Sequence, residues 1–150
     1  MTIRAYTDLI VVHCSATKPS MDHVNEDEIR QWHLDRGWSD AGYNIVIPRK
    51  PTDDDHGLIE IARPLDVQGA HVAGYNHRSL GICLVGGMAE DGSDEDNFLD
   101  EQLSALETAL LFCLAYAPKA LIRNHRSLDP RKTCPVMDAE AWAAARGYPV

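Results

Sequence analysis

The chain has 150 residues, 45% of them hydrophobic and 25% charged, with a formal net charge of −9. One domain with an ordinary apolar core fits that size, and disulfides are not needed to hold it together. The acidic balance argues against a nucleic-acid binder, which must neutralise phosphates, and against docking on an anionic membrane.

No apolar run approaches the length of a bilayer span. The opening MTIRAYTDLIVVHC lacks a basic segment, a long apolar stretch and a small-residue cleavage site, so no signal peptide is expected and synthesis is cytoplasmic. Residues 9–14 (LIVVHC) are a nearly continuous, β-branched apolar run and predict a strand buried on both faces. Strand alternation sends His13 and Cys14 to opposite faces, so a metal at His13 should not take Cys14 directly. After a loop over 15–24, Asn25 stands three residues before Glu28, a helix-start pattern. Ile29, Trp32, His33 and Arg36 then share one side of the helix, and Gly37 stops it. Residues 42–47 (GYNIVI) and 58–62 (LIEIA) predict a hairpin, with Asp53 to Asp55 as its solvated acidic tip.

Residues 80–86 (LGICLVG) predict another apolar strand, and 90–97 an acidic loop. A helix follows over 99–116, with Leu99, Leu103, Leu106, Leu110 and Leu114 as its core-facing stripe and Pro118 beyond its end. Residues 119–123 predict a strand leading into His125, and a last helix runs from near Asp138 to Gly147. The order implies a single α/β domain with a mixed central β-sheet flanked by helices.

The residues with the most chemistry are His13, His125 and Cys134. Two imidazoles and a thiolate suit zinc, and three protein ligands leave a position open for water, as catalytic zinc requires. A structural zinc would want a fourth ligand, and no further cysteine pair lies nearby. Cys14, Cys83 and Cys113 sit in apolar surroundings and read as small buried hydrophobes. Cys134 instead lies in a polar loop beside Lys132 and Pro135. If the strands before His13 and His125 are parallel neighbours, the two imidazoles meet at one sheet edge, where open α/β sheets place their sites. Spacing alone leaves open that each histidine is an ordinary surface or core residue.

The segments VHCSATKPS (12–20), IRQWH (29–33), GW (37–38), GY (42–43), GYNHRS (74–79), GICLVGG (81–87) and KTCP (132–135) resemble the phage-lysozyme branch of the zinc-dependent N-acetylmuramoyl-L-alanine amidase and peptidoglycan-recognition-protein family. The resemblance runs from about residue 9 to residue 142. It implies one Zn2+ ion on His13, His125 and Cys134, with Tyr43 and Lys132 as the two further residues that catalysis needs. It also places His71 in the cleft as a substrate contact, the alternative being a half-exposed loop histidine. Asn76 would hold the substrate or its loop. His33 reads as packing, and His23, His56 and His77 as surface residues.

The implied reaction is cleavage of the amide between N-acetylmuramic acid and the L-alanine of the stem peptide. The implied setting is a monomeric phage or prophage endolysin that reaches the cell wall through a holin-type lesion. A peptidoglycan-binding module without catalysis is the rival reading, and the presence of Cys134, Tyr43 and Lys132 weighs against it. A phage RNA polymerase is a second partner that the resemblance raises. Three departures stand out: Asn44 where the phage enzyme has histidine, a longer and more acidic hairpin at 48–57, and one more residue between His125 and Cys134. The first two are expected to alter substrate reach.

Overall fold

The apolar run Leu9–Cys14 forms strand β1, and every residue of it is buried. That burial follows from its place in the sheet. In the computed structural model, which describes residues 1–51 and 58–150, β1 has a parallel neighbour on each side. These are β4 (Ser79–Leu84) and β5 (Leu121–Asn124). Strand β2 (Ile45–Ile47) pairs parallel with β4, and β3 (Glu60–Ile61) pairs antiparallel with β2. The sheet order is β3-β2-β4-β1-β5, a mixed sheet flanked by helices as expected. The expected acidic tip Asp53 to Asp55, and His56, lie outside the described residues.

The two faces carry different loads. Ile10, Val12, Ile45, Ile47, Leu80, Ile82 and Leu84 form the main core with Leu106 and Leu110 of α2 (Asp100–Tyr116) and Ala139 and Ala143 of α4 (Ala139–Ala144). On the other face Val46, Cys83 and Val85 pack with Val24 and with Ile29 of α1 (Glu26–Asp35), while Leu9 and Val11 pack on Val72. Side-chain alternation puts His13 on this second face, with Leu9 and Val11. Helix α1 starts as its sequence implies: the Asn25 side chain accepts the Glu28 amide hydrogen, and Gly37 leaves the helix at φ +86°.

Two elements differ from expectation. On α2 the expected Leu106 and Leu110 are buried and Leu103 and Leu114 pack against the core, but Gln102 is buried beside them and Leu99 is 38% exposed. The Gln102 side-chain amide donates to the carbonyls of Ile47 and Val85 at 3.2 and 2.8 Å, which draws that polar residue inward. Strand β2 begins at Ile45 instead of Gly42: the Asn44 amide still donates to the Gly81 carbonyl at 3.0 Å, but Gly42 bonds away from the sheet. The Gly42 carbonyl accepts the Ala70 amide at 2.9 Å. The Asn44 side chain, wholly buried, donates to Pro64 and Val67 and accepts from the Gly81 amide. Asn44 is therefore a scaffold residue and is not among the side chains that line the cleft.

Candidate metal centre

Strands β1 and β5 run in parallel with Val12 opposite Asn124. The next residue on each is a histidine, so His13 and His125 emerge together at the C-terminal edge of the sheet. His125 opens a short helix, α3 (His125–Leu128), which the sequence pattern does not announce. The Asp129 amide closes onto the His125 carbonyl, and the chain folds back until the Arg126 amide donates to the Cys134 carbonyl, both at 2.9 Å. That return places Cys134 beside the two histidines.

His13 Nδ1 is 3.1 Å from His125 Nδ1 and 3.8 Å from Cys134 Sγ, and the three ligand atoms all lie within 4.8 Å of one another. Tetrahedral zinc with bonds of about 2.0–2.3 Å would hold such atoms roughly 3.3–3.6 Å apart, so the donor set fits that ion in kind and small side-chain shifts would bring it to that spacing. The Cys14 amide donates to Cys134 Sγ at 3.1 Å, a bond that favours a thiolate. Cys14 itself stays outside the ligand group, as strand alternation requires, yet its backbone serves the site.

The electrostatics favour neutral imidazoles, the form that binds metal. Burial, then the neighbouring His71 and His125, hold His13 well below the ordinary imidazole range. Burial and the positive charge of Lys132 lower His125. The hydrogen bond with the Cys14 side chain, and then burial, push the Cys134 thiol up, so a cation binding there must displace a proton.

His71 is 8% exposed, which corrects the half-exposed loop reading. It lines the cleft over the three candidate ligands as expected, with its Nδ1 2.8 Å from His13 Nε2 and its Nε2 3.2 Å from Ser79 Oγ. Asn76 Oδ1 accepts the amides of His71 and Val72, both at 2.9 Å, and so holds that loop. Of these contacts the one between His71 and His13 spans 58 residues of chain, and nothing local in the sequence signals it.

Tyr43 and Lys132 both line the cleft of about 290 Å³ that opens over His13, His125 and Cys134. The Tyr43 ring stands 5.1 Å from that of His13, centroid to centroid. Burial, with Cys83, Cys134 and Cys14 nearby, pushes its phenol well above the usual range, so it keeps its proton. Tyr43 also borders a second hollow with Trp32, His33 and Arg36. His33 is packed as expected, its Nδ1 accepting the Gly42 amide hydrogen at 2.7 Å. His23 and His77 are exposed.

Residues 4–136 match the N-acetylmuramoyl-L-alanine amidase family. The endolysin of Escherichia phage T7 is 43% identical over 139 residues, covering 93% of this chain and 87% of that protein. The endolysin of Enterobacteria phage K11 is 45% identical over 141 residues, covering 94% and 88%. The N-acetylmuramoyl-L-alanine amidase LysC from Clostridium intestinale URNW shares the fold, with a TM-score of 0.77 at 22% identity over 95% of this chain and 86% of that one.

Proposed function

The chain belongs to the N-acetylmuramoyl-L-alanine amidase family and is a peptidoglycan amidase of the phage endolysin kind, and on that premise we propose that it works with one zinc ion held by His13, His125 and Cys134. The bond cut is the amide between the lactyl carboxyl of N-acetylmuramic acid and the amine of the first L-alanine. The observation that carries the reading is the cluster itself: two Nδ1 atoms and one Sγ gathered at the sheet edge, on the floor of a cleft bordered by Tyr43 and Lys132. A binding module without catalysis would have no use for that donor set.

When bound, zinc supplies Lewis acidity and makes a water molecule acidic enough to act as a nucleophile near neutral pH. Lys132, exposed in its loop and bordering the cleft, brings positive charge to the oxyanion that develops on the scissile carbonyl. Tyr43 keeps its proton and acts there as a hydrogen-bond donor, not as a base. Reaching the wall through a holin-type lesion and acting as a monomer are part of the same proposal. Among the described residues no helix is long and apolar enough to cross a membrane.

Purified cell walls test the reading. Digestion should clear turbidity and release new alanine amino termini, with no new reducing sugar ends. Full activity in protein stripped of zinc, or reducing ends in place of amines, would overturn it.

A further inference from the structure

Behind the three candidate ligands runs a buried chain of hydrogen bonds that the reaction as described does not use. It links His13 Nε2 to His71 Nδ1 at 2.8 Å, His71 Nε2 to Ser79 Oγ at 3.2 Å, and Ser79 Oγ to the Tyr75 carbonyl at 2.8 Å. His13 is 1% exposed, His71 8% and Ser79 0%, so solvent is a poor replacement for any of these partners.

The last bond sets the direction of all the others. A carbonyl can only accept, so the Ser79 hydroxyl gives its one hydrogen to Tyr75. Ser79 Oγ is then left as an acceptor, and the hydrogen of a neutral His71 must sit on Nε2. His71 Nδ1 therefore offers a lone pair to His13, whose hydrogen must sit on Nε2. His13 Nδ1 is left bare, and that is the atom facing His125 and Cys134.

We propose that His71 is a positioning residue of the metal centre: by accepting the Nε2 hydrogen of His13 it fixes the tautomer and ring orientation that aim Nδ1 at the metal. A metal-ligating histidine commonly gives its second ring hydrogen to an oxygen of a carboxylate, a carbonyl or water. Here a second imidazole takes that role. It is held in turn from both sides. Asn76 Oδ1 binds the amides of His71 and Val72. Gly81 of β4 leaves room for the ring, since a Cβ there would come within 2.7 Å of His71 Cγ.

The inference rests on the zinc reading, and its test separates the two. Zinc-loaded full chain is studied by long-range nitrogen–proton NMR, and zinc affinity is measured by competition with a chromophoric chelator. Wild type should show its His13 hydrogen on Nε2 and its His71 hydrogen on Nε2. His71→Leu, which removes the acceptor, should weaken zinc binding about 10- to 100-fold. His71→Asn, whose side-chain oxygen reaches the Nδ1 position, should restore most of that loss. A reversed His13 tautomer in wild type, or a folded His71→Leu that binds zinc as wild type does, overturns the inference and leaves the zinc reading standing. If His71→Leu fails to fold, the wild-type tautomers decide. A wild type that takes up no zinc overturns both.

Discussion

His13 and His125 each stand one position beyond the register pair Val12 and Asn124 of two parallel strands, and their Nδ1 atoms lie 3.1 Å apart. Sheet geometry alone therefore brings two donors together, and the return loop adds the third. Removing any one of them should undo the site. His13→Ala, His125→Ala and Cys134→Ser are each expected to lose bound zinc and to drop wall clearance to background. Metal analysis alongside turbidity checks this, and a chelator-stripped wild type should recover on adding zinc.

Lys132 and Tyr43 border the cleft without belonging to the donor cluster. Lys132→Ala and Tyr43→Phe should keep zinc content and slow wall hydrolysis about 100- to 1000-fold, the usual cost of losing one group that stabilises an oxyanion. A normal melting temperature with a normal zinc content would show that the loss is one of rate.

His33 provides a pH test away from the metal donors. Burial, then the charges of Arg36 and Arg63, hold its pKa below the ordinary 6.5, and its Nδ1 must stay bare to accept the Gly42 amide hydrogen. As pH falls below about 6.5 the unfolded chain takes up a proton here and the folded chain resists it. The stabilising contribution is complete above that value and is lost as pH falls from it toward the depressed folded value. The urea midpoint should therefore drop between about pH 7.5 and about pH 5.5. In His33→Asn, which keeps an acceptor but has no titrating ring, the drop should be smaller.

Gln102 supplies hydrogens to two strand-end carbonyls from inside the core. Gln102→Leu keeps the bulk but leaves the Val85 carbonyl without its donor, while the Ile47 carbonyl keeps the Val85 amide, so it should cost about 1–3 kcal/mol of stability. Urea denaturation measures the loss. Zinc affinity should stay at the wild-type value, since no bond of the donor cluster passes through this residue.

Much of this molecule is legible in its sequence where periodicity and caps are strong. The run LIVVHC announces a doubly buried strand, and Asn25 with Gly37 brackets α1. The parallel pairing of β1 with β5 turns two distant histidines into neighbours, as the sheet-edge argument expects. Less legible are features that depend on long-range polar bonds. Leu106 and Leu110 keep the expected stripe of α2, but buried Gln102 joins it and Leu99, one residue ahead of the helix, stays 38% exposed. Helix α3 is four residues long, too short to show a period. His71 meets His13 across 58 residues of chain, and the motif around it says nothing of that contact. Asn44 follows Tyr43 directly, yet it turns into the scaffold while Tyr43 borders the cleft.

The missing side chain at Gly81 has a consequence for inheritance. An imidazole at position 71 and a hydrogen at position 81 occupy one shared volume, so neither can change freely while the other stays. A library that randomises 81 with His71 in place should return glycine alone. One that randomises both should return larger residues at 81 only with smaller ones at 71. Paired substitution at these positions would thus report the packing behind the metal centre in any relative known by sequence only.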